Sequence, residues 1–136
     1  MSTARIRNIS VALAVLFLAV VAMTVRAVVT EEPVREITLH ARDMAFYLPG
    51  EVTPNPTLRV AAGEELRFTL INDEPGMQHD LAVDASGLVI GPLPTQAGSR
   101  ASATARAPQA PGRYPYVCEL HAKMMRGTLE VEPDAR

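Results

Sequence analysis

The chain contains many short segments in which apolar and polar residues alternate, and turn residues separate these segments. Seven of them lie after residue 35, at positions 37–41, 57–61, 65–71, 80–83, 99–106, 112–118 and 127–131. Alternation with a period of two is typical of strands that bury one face, and no stretch after residue 30 has the pattern of a long amphipathic helix. The sequence therefore predicts an all-β fold, an antiparallel β-sandwich with Greek-key connections.

The N-terminus carries an apolar run that does not follow this pattern. Residues 9–25 are apolar except for Ser10 and Thr24, and Arg5 and Arg7 precede them. The length of this run exceeds the usual core of a signal peptide and reaches the short limit for a membrane span. Two hypotheses stay open, a signal peptide cleaved near residue 27 and an uncleaved membrane anchor. Under both, the positive charge before the run predicts that everything after about residue 28 is exported.

These features divide the chain into three parts. We assign residues 1–29 to the signal peptide or N-terminal membrane anchor, 30–34 to a short linker, and 35–133 to one compact β domain. From residue 28 onward the chain has ten basic and fifteen acidic residues, a net charge of −5. This acidic balance argues against nucleic acid as a partner. We expect an extracytoplasmic protein, in the periplasm or on the outer face of the cytoplasmic membrane.

A short C-terminal segment concentrates side chains that bind soft metal ions. Cys118 is the only cysteine of the chain, so it cannot form an intramolecular disulfide. Exported proteins seldom carry an unpaired thiol without a function. His121 follows three residues later, and Met124 and Met125 come directly after it. A thiolate, two imidazoles and a weak axial thioether form the ligand set that selects mononuclear blue copper, and His79 is the best candidate for the second imidazole.

The predicted sandwich gives this spacing a mechanical meaning. Residues 112–118 would form the penultimate strand and residues 127–131 the last, so Cys118, His121 and a methionine occupy the loop between them. His79 directly precedes another predicted strand. Two loops at the same end of a sandwich can converge on one ion while the sheets hold them rigid. Such a frame lowers the cost of electron transfer, because Cu(I) and Cu(II) prefer different geometries.

These motifs resemble those of the cupredoxins, the blue-copper family that includes plastocyanin, azurin, amicyanin and pseudoazurin. In that family an aromatic-x-Cys motif is followed by His and then by Met-x-Gly at the start of the last strand, and residues 116–129 follow this pattern. An asparagine-containing loop that ends in His and a strand corresponds to residues 72–84. The resemblance spans roughly residues 35–132. It implies a cupredoxin domain that holds one copper ion through His79, Cys118, His121 and a methionine.

The resemblance leaves the axial ligand open between two methionines. Met124 and Met125 lie three and four residues after His121, and both spacings resemble members of the family. We favour Met125, because the Arg-Gly-Thr-Leu sequence after it matches the family's start of the last strand. Around the ligands we expect Asn72 and Asp80 to support the site. Asp80 stands where the family often has an asparagine that ties the two ligand loops together, so that link is either lost or made by a carboxylate.

The resemblance implies electron transfer by Cu(I)/Cu(II) cycling, with no substrate converted. In the family, the ring edge of the second histidine reaches the surface through an apolar patch that docks the partner, and here that histidine is His121. The candidate patch residues are Leu93, Pro94, Ala122 and Met124. The expected partners are redox proteins such as a cytochrome, an oxidase or a reductase, which dock transiently on a monomer.

Copper handling is the alternative function, meaning carriage of Cu(I) or its delivery to an exported copper enzyme. Surplus methionines at positions 44, 77 and 124 support it, because thioethers favour Cu(I). A nitrite reductase or multicopper oxidase is disfavoured, since such enzymes need further histidine-rich centres and the chain has three histidines. A dinuclear purple centre would need a second cysteine, and haem attachment would need a Cys-x-x-Cys-His motif. We therefore expect a protein that is not an enzyme.

Overall fold

The computed structural model describes residues 33–133, and this region is built of short strands. They are β1 (Arg35–Arg42), β2 (Ala45–Tyr47), β3 (Thr57–Ala61), β4 (Glu65–Asn72), β5 (Leu81–Val83), β6 (Leu88–Ile90), β7 (Ser99–Arg106), β8 (Gly112–Val117) and β9 (Arg126–Glu132). Single 3₁₀ turns at Asp84–Ser86 and Glu119–His121 interrupt the connections. In the span 33–133 we find no helix of the length and apolarity that crossing a membrane requires. The predicted signal peptide or anchor at 1–29 lies outside the described residues, as does most of the predicted linker.

The strands form two sheets that enclose one apolar core. One sheet has the order β2-β1-β4-β7 and the other has the order β3-β9-β8-β5-β6. Along β4, buried and less buried residues alternate, so Leu66, Phe68 and Leu70 point inward while Arg67 stays exposed. The second sheet contributes Leu129 and Val131 to the same core. The alternation in the sequence thus translates directly into one buried face per strand, and the predicted all-β sandwich is confirmed.

Both sheets also contain a parallel strand pair, which differs from a purely antiparallel sandwich. β1 pairs with β4 in parallel, and β3 pairs with β9 in parallel. Between β1 and β4 the chain crosses to the other sheet to form β3, so it returns in the same direction. Alternation shows which face of a strand is buried but carries no information about strand direction. The sequence also gave no sign of β2 and β6, because three residues are too few to show a period.

The ring of Tyr116 lies on one of the two strands that flank the candidate metal loop and packs against the other. Tyr116 on β8 is fully buried, its hydroxyl donates to the Pro56 carbonyl at 2.6 Å, and its ring packs 5.5 Å from the Phe46 ring. Burial raises the pKa of Tyr116 well above its usual range. Its register partner on β9 is Gly127, where a Cβ would overlap the Tyr116 ring. The glycine of the Met-x-Gly motif is therefore needed for the close approach of this ring.

Candidate metal centre

Three candidate ligands converge at one end of the sandwich. His79 lies just before β5, while Cys118 and His121 lie in the loop that follows β8. β5 and β8 pair antiparallel, with Ala82 opposite Val117, so the start of β5 lies beside the end of β8. One potential ligand atom from each of the three residues lies within 4.8 Å of the others. The strand pairing therefore places two imidazoles and a thiol around one point.

The geometry of these side chains fits a metal ion. His79 and Cys118 are fully buried and His121 is half-buried. The Cys118 Sγ lies 3.5 Å from the Nδ1 of His121, and the two imidazole centroids are 5.2 Å apart. The Nδ1 of His79 is buried without a hydrogen-bond partner among residues 33–133. A buried polar atom without a partner is costly, and a metal ion between the three side chains would satisfy it.

The two adjacent methionines occupy different environments. Met125 is fully buried, and its carbonyl accepts a hydrogen bond from the Cys118 N–H at 3.0 Å. Met124 is 55% exposed, and its carbonyl is held by the Asn55 side chain at 3.0 Å. Both backbone N–H groups bond to the His121 carbonyl at 2.9 Å, which fixes the turn that separates the two side chains. Of the two side chains, the buried one is therefore that of Met125, whose backbone bonds to Cys118.

Asp80 connects the two ligand loops through its carboxylate. Its Oδ1 accepts a hydrogen bond from the Glu119 N–H at 2.6 Å, and its own N–H points at the Cys118 Sγ at 3.5 Å. Burial raises the pKa of the Cys118 thiol; the Asp80 N–H opposes this rise and the Asp80 carboxylate adds to it. The metal-free thiol thus favours its protonated form, and a bound metal must displace the proton.

Asn72 organises the loop that leads to His79. The side chain is fully buried, and its Nδ2 donates to the carbonyls of Met77 at 2.8 Å and Pro94 at 2.9 Å. Its Oδ1 accepts a hydrogen bond from the Glu74 N–H at 3.0 Å. One amide thereby holds both ends of the turn before His79 and ties that turn to the segment after β6. Asn72 and Asp80 thus both hydrogen-bond to backbone groups near the ligands, and their supporting role stays a prediction.

Glu74 is a contact of the site that the sequence did not reveal. Its Oε2 lies 3.0 Å from the Nε2 of His79, whereas the other ring nitrogen, Nδ1, is buried without a partner among the described residues. Histidines that ligate metals usually donate their second ring N–H to a carboxylate or a carbonyl. That rule, applied to the acidic residues just before His79, was the signal that could have identified Glu74.

An apolar groove borders the half-buried His121. Its lining includes Met44, Leu120, His121, Ala122 and Met124, which we call the His121 groove. Leu120 is 50% exposed and Met124 is 55% exposed. Glu119 and Lys123 also line it. Two of the expected patch residues, Ala122 and Met124, therefore lie in one concave surface beside the metal end of the sandwich.

The other two expected patch residues lie elsewhere. Leu93 is 3% exposed and packs in the core, so its assignment to an exposed patch was wrong. Its backbone N–H donates to the His79 carbonyl at 2.8 Å, which makes it a support of the ligand segment. Pro94 is exposed but does not line the His121 groove; its carbonyl bonds to Asn72. Leu93 stands between two prolines, and this context is typical of a surface loop. In the structure, however, its side chain is buried in the core.

No protein-family model and no curated protein sequence matches the chain, but solved structures do. A copper nitrite reductase from Nitrosomonas europaea is 25% identical over 76% of this chain and 43% of that chain, with a TM-score of 0.57. Auracyanin B is 23% identical over 77% of this chain and 94% of its own, with a TM-score of 0.55. The auracyanin of Roseiflexus castenholzii is 18% identical over 75% and 100%, with a TM-score of 0.54. The chain thus spans less than half of the nitrite reductase chain.

The fold, the ligand set and the structural neighbours agree with one another. The sandwich holds a buried cysteine and two histidines at one end, with a buried methionine next to the cysteine. The matching structures, two auracyanins and a copper nitrite reductase, share this fold. A thiolate, two imidazoles and a thioether select copper over the harder divalent ions. The chain therefore has the cupredoxin fold, and His79, Cys118, His121 and a methionine are positioned to hold one copper ion, its cofactor, in a type-1 site.

Proposed function

We propose that the protein is an exported electron carrier that transfers single electrons between redox proteins. The observation that carries this proposal is the unequal burial of the ligands. His79, Cys118 and Met125 are fully buried, whereas the ring of His121 borders the His121 groove. Three fully buried ligands disfavour direct contact between a substrate and the metal position. An electron needs only a short path through the imidazole of His121.

The surrounding hydrogen bonds support the same function. When bound, copper supplies one-electron redox chemistry by cycling between Cu(I) and Cu(II). Asn72 and Asp80 hold the two ligand loops through buried side chains, so the ligands have little freedom to move. The Asp80 N–H, directed at the Cys118 Sγ, stabilises the thiolate. A frame that resists rearrangement keeps the reorganisation energy of each transfer low.

The His121 groove is our proposed docking surface for the redox partner. Leu120 and Met124 expose large apolar side chains at its edge. Redox encounters use small interfaces that form and separate quickly, and a groove of this size suits them. A cytochrome, an oxidase or a reductase would dock here on a monomer. We further propose that residues 9–25 deliver the protein to the outer side of the cytoplasmic membrane, as a cleaved signal or as a membrane tether.

The visible spectrum of the copper-loaded protein tests the copper function. We expect an intense blue colour in the oxidised protein, from thiolate-to-Cu(II) charge transfer, and its reversible loss on reduction. Cys118→Ser should abolish the colour while the circular dichroism of the β-sandwich is retained. A wild-type protein that binds copper tightly and stays colourless after oxidation would refute the proposal.

The docking surface is tested by charge substitution at the groove. Leu120→Glu and Met124→Glu should slow electron exchange with a redox partner while leaving the visible spectrum unchanged. Val89→Glu is the matched control, because Val89 is 61% exposed and lies outside the groove. Equal exchange rates for the three variants would place docking on another face.

Delivery of Cu(I) is a second candidate, and one observation favours it. Met44 lines the same groove as Met124 and His121, so two thioethers lie beside the outermost ligand of the metal centre. Thioethers prefer Cu(I). Tight colourless binding of Cu(I), followed by transfer to an apo copper protein, would support delivery. Substituting Met44 and Met124 with leucine should then slow that transfer and leave electron exchange unchanged.

A further inference from the structure

We propose that Glu74 is a positioning residue of the copper centre, which acts through His79 to fix its ligand nitrogen and to lower the reduction potential of the copper. The inference rests on the proposed copper function. Its starting point is the pair formed by the Glu74 Oε2 and the His79 Nε2, 3.0 Å apart, with the histidine fully buried. This is the one hydrogen bond of the His79 ring nitrogens to another side chain of the described region.

The carboxylate of Glu74 determines which ring nitrogen of His79 carries the hydrogen. An ionised carboxylate can only accept a hydrogen bond, so the Nε2 of His79 must donate to Glu74. The Nδ1 is then left as a bare lone pair. That nitrogen is buried and has no hydrogen-bond partner among the described residues, and His79 belongs to the cluster with Cys118 and His121. Glu74 thereby selects the tautomer of His79 that a metal ion requires.

Backbone hydrogen bonds hold Glu74 itself in place. Its backbone N–H donates to the Asn72 Oδ1 at 3.0 Å, and its carbonyl accepts from the Met77 N–H at 3.4 Å. Asn72 also bonds to the Met77 carbonyl, so one buried amide closes the turn that carries the carboxylate. The Glu74 side chain is only 27% exposed. The carboxylate is therefore fixed by the backbone around it as well as by its partner.

The neighbouring acidic residue shows that this pairing is specific. Asp73 contacts a different histidine, with its Oδ2 at 2.6 Å from the Nδ1 of His40. Glu74 faces the metal ligand instead. Two adjacent carboxylates thus have separate imidazole partners, and only one of these imidazoles belongs to the metal centre. This arrangement supplies a control within the same turn.

The negative charge of Glu74 should lower the reduction potential of the copper. A carboxylate next to a ligand imidazole makes that imidazole a stronger donor and places a negative charge near the ion. Both effects stabilise Cu(II) more than Cu(I), because Cu(II) carries the larger positive charge. Partial burial of Glu74 limits the screening of this charge by solvent. Removing the charge should therefore raise the reduction potential even when the hydrogen bond is kept.

The first experiment uses full-length, metal-free protein in detergent and measures the ¹⁵N shifts of the imidazole nitrogens by NMR. We expect His79 as the Nε2–H tautomer in the wild type and in Glu74→Gln, whose amide oxygen can still accept. Glu74→Ala should give a mixture of tautomers. An Nδ1–H tautomer in the wild type would overturn the proposal, as would a Glu74→Ala spectrum identical to that of the wild type.

The second experiment compares the reduction potential and the copper affinity of matched variants. Glu74→Gln should raise the potential, and Asp73→Asn, with the same change in charge one residue away, should leave it nearly unchanged. Glu74→Ala should weaken copper binding by about 10–100-fold. Equal reduction potentials for Glu74→Gln and Asp73→Asn would show that any nearby change in charge has the same effect. That result would refute the role of Glu74.

The two experiments separate this inference from the copper function itself. A wild-type protein without blue colour would refute the copper proposal, whereas the tautomer measurement needs no metal and would still test the Glu74–His79 contact. A blue wild-type protein in which Glu74→Ala keeps its tautomer and its potential would refute the role of Glu74 alone.

Discussion

The two segments that carry the metal ligands are built in opposite ways. The segment of residues 72–80, which leads to His79, is folded around buried polar groups, with Asn72 and Glu74 bonded inside the protein. The segment of residues 118–125 turns through a short 3₁₀ turn and exposes apolar side chains at Leu120 and Met124. We call them the His79 segment and the Cys118 segment.

This difference indicates a division of tasks at one site. The His79 segment contributes a ligand whose position is fixed by hydrogen bonds, and it offers no access from solvent. The Cys118 segment contributes the half-buried His121, beside the groove that we propose as the docking surface. One segment keeps the geometry of the ion constant, and the other connects the ion to the surface.

The largest effect should come from removing each histidine in turn. His79→Gly and His121→Gly should both lose the blue colour, because each removes an imidazole ligand. Imidazole added to the solution should restore the colour of His121→Gly, since the vacated space opens on the groove. It should restore little in His79→Gly, because His79 is 0% exposed. The measurement is an absorption titration with imidazole, and equal recovery in both variants would contradict the division between the segments.

The next largest effect concerns the polar framework of the His79 segment. Asn72→Ala removes three part-buried hydrogen bonds, two to carbonyls and one from the Glu74 N–H, so the free energy of unfolding should fall by about 3 kcal/mol. Ser99→Ala is a suitable control. Its hydroxyl donates to the same Pro94 carbonyl at 2.8 Å but is exposed to solvent, so the loss should stay below about 1 kcal/mol. Urea denaturation of the metal-free protein measures both, and similar losses would show that the framework is not specific.

Within the Cys118 segment, the two methionines should behave differently. Met125→Leu should raise the reduction potential and alter the visible spectrum, because it removes a weak donor that stabilises Cu(II). Met124→Leu should leave both nearly unchanged, because the Met124 side chain is 55% exposed. Cyclic voltammetry and absorption spectra of the two variants test this assignment. A larger shift in Met124→Leu would transfer the axial role to that residue.

The smallest effect is a pH dependence of the free energy of unfolding that arises from Tyr116, two residues before Cys118. Burial raises the pKa of this phenol in the folded state, whereas in the unfolded chain it ionises near pH 10. Above that pH the unfolded state loses a proton that the folded state keeps. The free energy of unfolding should then fall by up to about 1.4 kcal/mol per pH unit. Tyr116→Phe should be less stable at neutral pH, because it loses the hydrogen bond to Pro56. Its free energy of unfolding should lack the part of the decrease at alkaline pH that the phenol causes.

Much of the fold and part of the site could be predicted from local sequence patterns. Alternation located most strands, because each strand buries one face regardless of its neighbours. The spacing of Cys118 and His121 was informative because both lie in one short loop, whose ends are set by the adjacent strands. The structure brings His79 to the same point, which required the pairing of β5 with β8.

The remaining features depend on contacts between distant residues or on the course of a turn. The partner of His79, Glu74, follows from the turn that Asn72 closes, and composition alone does not show which acidic residue faces the ring. The burial of Leu93 depends on where its loop meets the core. Strand direction is equally invisible to alternation, so the parallel pairing of β1 with β4 was not expected.

The position of β9 in its sheet has a consequence for how the protein is made. β9 lies between β3 and β8, so β3 has no neighbour in that sheet until β9 is in place. Residues 126–132 leave the ribosome after all the other described strands, and the contact between β3 and β9 spans about half of the chain. Such distant pairings form slowly. The sandwich therefore closes only after synthesis of β9, and the loop that carries Cys118 and His121 gains its second flanking strand only then.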